Sequence, residues 1–243
     1  MKMDNKHLLC IGHRGAMGHA PENTLASIRK ALELGVPCLE IDVYFVDGQL
    51  VVFHDHRLER TTNGTGYLLE QEFNHLRSLD AGDGEKIPTL KEVFDVIQLR
   101  AGVNIELKGP GTAGPVVEFI SKMRDVGWHD DLILISSFNH RELVQIRQMD
   151  PRIKLGAMMV GLPLDGAAFA VSLGAYSVHL SFDFIDRKFI NDAHSRGFRV
   201  FVFTVNYPED IKKMRDLGVD GIFTNYPERI LKYRKDKSAI GWI

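Results

Sequence analysis

Apolar runs of strand length alternate with stretches of helical periodicity along most of the chain. The runs predict strands at residues 8–12, 38–43, 103–107, 132–136, 154–159, 177–180, 199–205 and 221–224. Between them the spacing predicts helices at 23–34, 116–126, 141–149, 164–173, 187–195 and 208–217, with a last helix from Pro227. Asn23 or Thr24 caps the first helix and Gly35 closes it, while Gly127 stops the second. Strands that alternate with helices pair in parallel. A further run, 49–53, follows the second strand after only Asp47-Gly48, too short a link for a parallel crossover. An Asp-Gly pair between apolar runs marks a hairpin instead. Setting that antiparallel return aside leaves eight parallel strands, the number that closes an α/β TIM (β/α)8 barrel.

Residues 57–100 depart from this rhythm, with Gly-rich turns at 63–66 and 82–84 and helices predicted at 71–78 and 90–99. The expectation is one barrel domain, 1–243, with a small insertion, 56–89, after the second strand and over the barrel mouth, too short to bury a core of its own. A tight hairpin register puts His54 beside Ile41, facing away from Glu40 and Asp42. A bulge or a wider loop is therefore expected there.

Charge is concentrated where the apolar runs end. His13-Arg14-Gly15, Glu40-Ile41-Asp42, His54-Asp55 and Glu106-Leu107-Lys108 each set ionisable groups against residues that a fold buries readily. In a barrel of this kind the carboxyl ends of the strands face one site. Glu40 and Asp42, two apart, point the same way, and Glu106 on the neighbouring strand makes three carboxylates in one mouth. Their repulsion calls for raised pKa values or a bound cation, and an all-oxygen set suits Mg²⁺, Ca²⁺ or Mn²⁺ rather than Zn²⁺. A structural ion-pair network with Arg14 and Lys108 is the competing reading. Those two cations suit an anionic substrate such as a phosphate, and His13 and His54 are the proton carriers for neutral pH. Glu22 either orients Arg14 or is a solvated residue ahead of a helix cap.

Composition narrows the partners. With 30 Lys+Arg against 32 Asp+Glu in 243 residues, the net charge of -2 gives no electrostatic case for nucleic acid. The amino terminus is polar, the apolar stretch 8–11 is too short for a signal-peptide core, and no run is long enough to span a bilayer, so a cytoplasmic protein is expected. Cys10 and Cys38 sit in strand-like contexts as buried thiols. Residues 232–237 are expected to be a solvated helix face, and 226–243, with Trp242, a docking tail or the last outer helix.

The ordered motifs Gly12-His13-Arg14-Gly15, Ala20-Pro21-Glu22-Asn23-Thr24, Glu40-Ile41-Asp42-Val43, Val52-Phe53-His54-Asp55 and Arg60-Thr61-Thr62-Asn63-Gly64 resemble the glycerophosphodiester phosphodiesterase family, in its cytoplasmic bacterial form. Ile87-Pro88-Thr89-Leu90, Glu106-Leu107-Lys108, Ser137-Phe138 and Thr204-Val205-Asn206 continue the series. The resemblance implies a TIM-barrel enzyme of glycerol and lipid metabolism that hydrolyses glycerophosphodiesters to sn-glycerol 3-phosphate and an alcohol. It implies a divalent cation on Glu40, Asp42 and Glu106, acid/base roles for His13 and His54, and substrate contacts from Arg14, Lys108 and Phe203. It also leaves open attack by the glycerol 2-hydroxyl, through a cyclic phosphate, or by water. Phe203 stands where the family often has Trp, and Asn225 where Asp is frequent, departures expected to bear on substrate preference. The expected partner is a small-molecule glycerophosphodiester, with a homo-oligomer open. Alternatives are a related barrel phosphodiesterase acting on lysophospholipids, for which an apolar rim on the insertion would speak, and a non-catalytic barrel that binds phosphorylated metabolites.

Overall fold

A computed structural model describes residues 8–232 and 240–242; the expectations for 1–7 and for most of 232–237 lie outside the described residues. Eight parallel strands form the barrel. They are β1 (Leu9–Gly12), β2 (Cys38–Val46), β4 (Gly102–Leu107), β5 (Ile133–Ser137), β6 (Lys154–Met159), β7 (Ser177–Ser181), β8 (Arg199–Phe203) and β9 (Gly221–Thr224). Their order is β1-β9-β8-β7-β6-β5-β4-β2, closed by β1 on β2, with β3 (Gln49–Val52) antiparallel on the far half of β2. Helices α1 (Leu25–Leu34), α3 (Leu90–Ile97), α4 (Ala113–Asp125), α5 (His140–Met149), α6 (Arg187–Ser195), α7 (Pro208–Leu217) and α8 (Glu228–Leu231) lie between or after the strands, and α2 (Phe73–Ser78) lies in the insertion.

The two-residue alternation of each strand divides the protein into two cores. Leu39, Ile41 and Val43 of β2, Val103, Ile105 and Leu107 of β4 and Val200 and Val202 of β8 pack outward against the helices. Inside the barrel Ile11, Cys38, Leu134, Phe201 and Phe223 form a separate apolar cluster. Thr24, not Asn23, caps α1 by accepting from the Ser27 N–H at 3.3 Å, and Gly35 closes it at φ 79°. Asn23 is thereby released for another use.

Two expectations are corrected. The hairpin keeps the tight register, Val43 opposite Val52 and Val46 opposite Gln49, without a bulge. His54 reaches the site because β3 stops at Val52; the Phe53 N–H still donates to Asp42 at 2.9 Å, and the chain then leaves the ladder and its alternation. The helix expected at 164–173 is only a 3₁₀ turn, Gly166–Ala170, with Ala167 non-helical. Gly166 adopts φ 62°, and the Asp192 carboxylate of α6 takes the Ala167 N–H at 2.8 Å, while the neighbouring N–H groups close only short i→i+3 turns.

Beyond β3 the chain makes an excursion with its own apolar cluster, in which Leu58, Leu68, Leu76, Leu79 and Ile87 pack on Tyr44, Val46 and Val51. It is built on the extension of β2 past the barrel. Among the described residues no helix is long and apolar enough to cross a membrane. Trp242 is neither outer helix nor free tail. It lies 1 % exposed with Ile11, Cys38 and Leu134, its N–H bonded to Asp131 at 2.9 Å while Gly241 bonds to Pro37 at 3.2 Å, and it seals the amino-terminal end of the barrel. Truncating a buried Trp costs about 3–5 kcal/mol. Trp242→Ala is expected to lower the thermal unfolding midpoint by that loss while leaving turnover below the transition unchanged, because the site lies at the opposite end.

Candidate active site

The register of β2 on β4 builds the acidic centre. Asp42 is level with Glu106, and Glu40 with Asn104, so on neighbouring parallel strands these side chains share the barrel interior. Glu40, Asp42 and Glu106 are all buried, and one carboxylate oxygen of each lies within 4.8 Å of the others. Two unit charges about 4 Å apart repel by roughly 4 kcal/mol at the effective dielectric of such sites. Burial, then Asp42 and Glu106, pushes the Glu40 carboxyl well above its ordinary range. Burial and Asp42 likewise push Glu106 up to about 7, against the pull of Lys108.

Two cations reach the cluster. Lys108, just past β4, places Nζ 2.9 Å from Glu106 Oε1 and 3.8 Å from Asp42 Oδ1. Arg14, just past β1, directs its N–H to Glu40 Oε2 at 2.9 Å and its guanidinium to Asp42 Oδ2 at 3.4 Å and Glu22 Oε1 at 2.6 Å. Burial opposes both charges, and the surrounding carboxylates outweigh it, so both stay protonated. The purely structural network is nevertheless incomplete. Glu40 Oε1 and Asp42 Oδ1 are buried without a hydrogen-bond partner, a costly condition for carboxylate oxygens. Orphaned oxygens within a trio of hard donors fit a divalent, oxygen-preferring cation.

The histidines stand on either side. His13 Nδ1 lies 2.8 Å from the Asn225 side-chain oxygen, a pairing that puts the proton there and leaves Nε2 facing Glu40, 4.0 Å away. Burial, with Arg14 beside it, lowers the His13 pKa to about 4, so the ring is neutral at physiological pH. His54 Nδ1 lies 2.6 Å from Asp55 Oδ1, which again leaves Nε2 for the site. Burial is the main cause lowering its pKa, and the charges of Asp42, Arg14 and Lys108 all act on the ring. Phe203, at the end of β8, is partly buried and packs against the apolar cluster inside the barrel. Its ring meets Phe138 edge-on at 5.7 Å, and Phe138 in turn lies 5.9 Å from Lys108 Nζ.

Several residues here had no assigned role in the sequence. Asn23, at φ 57°, donates to Asp42 Oδ2 at 2.9 Å and accepts from the Asp42 N–H at 3.3 Å, fixing that carboxylate. Tyr44 donates to the His54 carbonyl at 3.2 Å. Asn206 holds the Asn225 N–H at 2.9 Å, so Asn225, expected to bear on substrate preference, bears directly on His13. The PENT motif contained Asn23 and the TVN motif Asn206; nothing local marked Tyr44.

The chain matches the glycerophosphoryl diester phosphodiesterase family model over residues 13–229. The chain belongs to this family. It is accordingly a phosphodiesterase. It is 36 % identical to a glycerophosphodiester phosphodiesterase of Caldanaerobacter subterraneus subsp. tengcongensis over 92 % of this chain and 96 % of that one. It is 30 % identical to one of Bacillus subtilis, over 94 % and 87 %. An Oleispira antarctica phosphodiesterase, solved in complex with the product sn-glycerol-3-phosphate, superposes with a TM-score of 0.85 at 34 % identity, over 92 % of this chain and 95 % of that one.

Because Glu106 titrates near 7, it holds a proton at pH 6 that a bound cation must expel, and has largely lost it at pH 8. Calorimetric titration of the metal-free protein with Mg²⁺ or Ca²⁺ is expected to release more protons, and to show weaker binding, at pH 6 than at pH 8. Glu106→Gln is expected to reduce that difference, with Glu40 contributing the remainder.

Proposed function

We propose that the protein catalyses metal-assisted hydrolysis of glycerophosphodiesters to sn-glycerol 3-phosphate and an alcohol. The observation that carries this is the joining of three buried carboxylates, two of their oxygens unpartnered, to Arg14 and Lys108 in one barrel mouth. Family membership and the product in the Oleispira relative support the substrate class.

In this reading Glu40, Asp42 and Glu106 hold the cation, Mg²⁺ or Ca²⁺ with Mn²⁺ also suited to the donors. Bound there, a divalent cation would supply Lewis-acid polarisation of the phosphoryl oxygens and screening of transition-state charge. Arg14 presents its guanidinium to non-bridging oxygens, and Lys108 adds a point charge opposite. Both are held before substrate arrives, so little reorganisation is needed when charge develops. One of His13 and His54 takes the proton from the attacking hydroxyl at Nε2, and the other, which must enter the step protonated at Nε2, gives that proton to the departing alcohol oxygen. Phe203 and Phe138 form an apolar wall beside Lys108 against which the carbon part of the substrate packs.

Glycerol 3-phosphate release from glycerophosphocholine is expected to vanish with EDTA and to return on adding Mg²⁺ or Ca²⁺. Absence of turnover on every glycerophosphodiester by the metal-loaded protein overturns the reading; turnover indifferent to EDTA overturns its metal-dependent part. Rapid-quench analysis separates the two routes, since attack by the glycerol 2-hydroxyl accumulates a cyclic glycerol phosphate and attack by water does not. His54→Ala is expected to reduce kcat by about 10²–10⁴-fold, the usual worth of a positioned acid or base. Its side chain is 30 % exposed, so thermal unfolding should barely shift.

A second substrate class is favoured by a separate observation. Past β6 the loop exposes Val160 and Leu162 and leaves Leu164 fully in solvent, and the insertion exposes Tyr67 and Leu69. An apolar rim of this kind suits an acyl-bearing diester such as a lysophospholipid. A higher kcat/KM for monomeric lysophosphatidylcholine than for glycerophosphocholine, lost in Leu162→Ser/Leu164→Ser, would favour this class.

A further inference from the structure

We infer that Arg60, from the insertion, is a positioning residue that ties His54 to Arg14 across the barrel mouth. This rests on the roles proposed above for those two side chains. Arg60 grips two carboxylates at once. Toward Asp55 it offers Nε to Oδ2 at 2.5 Å and Nη2 to Oδ1 at 2.9 Å. Toward Glu22 it offers Nη1 to Oε2 at 2.7 Å and Nη2 to Oε1 at 2.6 Å. Each of those carboxylates also binds a residue of the site, Asp55 the His54 ring and Glu22 the Arg14 guanidinium, both at 2.6 Å. The result is an alternating series Arg14, Glu22, Arg60, Asp55 and His54, which runs from the β1 loop to the insertion.

The fold gains little from Arg60 itself. Arg60 is 48 % exposed, and ion pairs in water contribute little to stability because solvent screens them and long side chains lose freedom in forming them. A planar guanidinium used on both edges fixes something else, the separation and orientation of two carboxylates. Asp55 so held accepts from His54 Nδ1 and keeps the ring in the tautomer whose Nε2 is bare. Glu22 so held keeps the Arg14 fork aimed at the acidic cluster. Arg60 itself lines a cleft of about 630 Å³ beside Glu22, with Thr61, Asp80 and Asp83 among its walls, and acts on the reaction only through its two partners. A lysine keeps the charge there but offers no fork, and so cannot hold both carboxylates in one geometry.

Arg60→Ala and Arg60→Lys are compared with the wild type on glycerophosphocholine, alongside circular dichroism, thermal unfolding and ¹⁵N NMR of the histidine rings. Both variants are expected to keep the wild-type spectrum and midpoint and to lose about 100-fold in kcat, the scale of a small misplacement of reacting groups. Added guanidinium should restore part of the activity of Arg60→Ala and none of that of Arg60→Lys. The His54 signals should move from the Nδ1-protonated pattern of the wild type to a mixture of tautomers. Wild-type kcat in either variant overturns the inference, and so does an unchanged His54 tautomer. Should Arg60→Ala not fold, Arg60→Lys decides on the same readouts. A wild type without any phosphodiesterase activity overturns the proposed function instead, and the tautomer signal still tests Arg60.

Discussion

Mutual repulsion among Glu40, Asp42 and Glu106 is the constraint around which the protein is arranged. Three carboxylates buried within 4.8 Å of one another do not persist by themselves in an apolar interior. They are held because β2 and β4 are locked in register for six consecutive residue pairs, and because the opposite faces of the same strands, Leu39, Ile41, Val43, Val103, Ile105 and Leu107, are anchored in the aliphatic layer beneath the helices. Burial of that layer offsets the cost of the acidic one. Arg14, Lys108 and Asn23 each relieve part of the repulsion from a different direction, and the β1 loop takes left-handed backbone at Arg14 and Asn23 to bring them there. Local strain at these two residues is thus a consequence of the charge they serve.

Histidines of the same type have been given unlike surroundings. His13 is enclosed and paired with a neutral amide, whereas His54 is partly exposed and paired with a carboxylate. An amide oxygen fixes a tautomer without favouring a second proton; a carboxylate does both. The asymmetry follows from topology, since His13 ends a barrel strand and His54 ends a strand that lies outside the barrel.

The eight-stranded alternation was legible because outward aliphatic residues recur on every strand, and the acidic trio because Glu40-Ile41-Asp42 keeps a two-residue period. The route of His54 was not legible. Pairing rules alone required a bulge, and the actual solution, ending the strand one residue earlier, depends on where Pro88 and Thr89 return to bond with Val52 and Val51. The segment after β6 carried helical periodicity, but Gly166 is left-handed and Asp192 on a distant helix takes the Ala167 N–H, leaving only 3₁₀ turns. The roles of Asn225, Tyr44 and Asn23 escaped for the same reason: their partners lie 212, 10 and 19 residues away, and no local pattern encodes those pairings.

The insertion leaves and rejoins the barrel at a single place. It departs after Val52 and comes back at Pro88, whose carbonyl accepts from the Val52 N–H at 2.8 Å, beside the Val51–Thr89 bridge. Entry and exit therefore share one doorway on β3, and the closed ring of eight strands is indifferent to the length of chain looped out there. Such a segment can change in length without breaking a pairing of the barrel itself. Its first residues nevertheless include His54, so a change in its path also moves a side chain of the candidate site. The doorway thus constrains the looped-out chain at its opening, where His54, Asp55 and Arg60 are bonded to the site, and leaves its later course unconstrained by the barrel pairing.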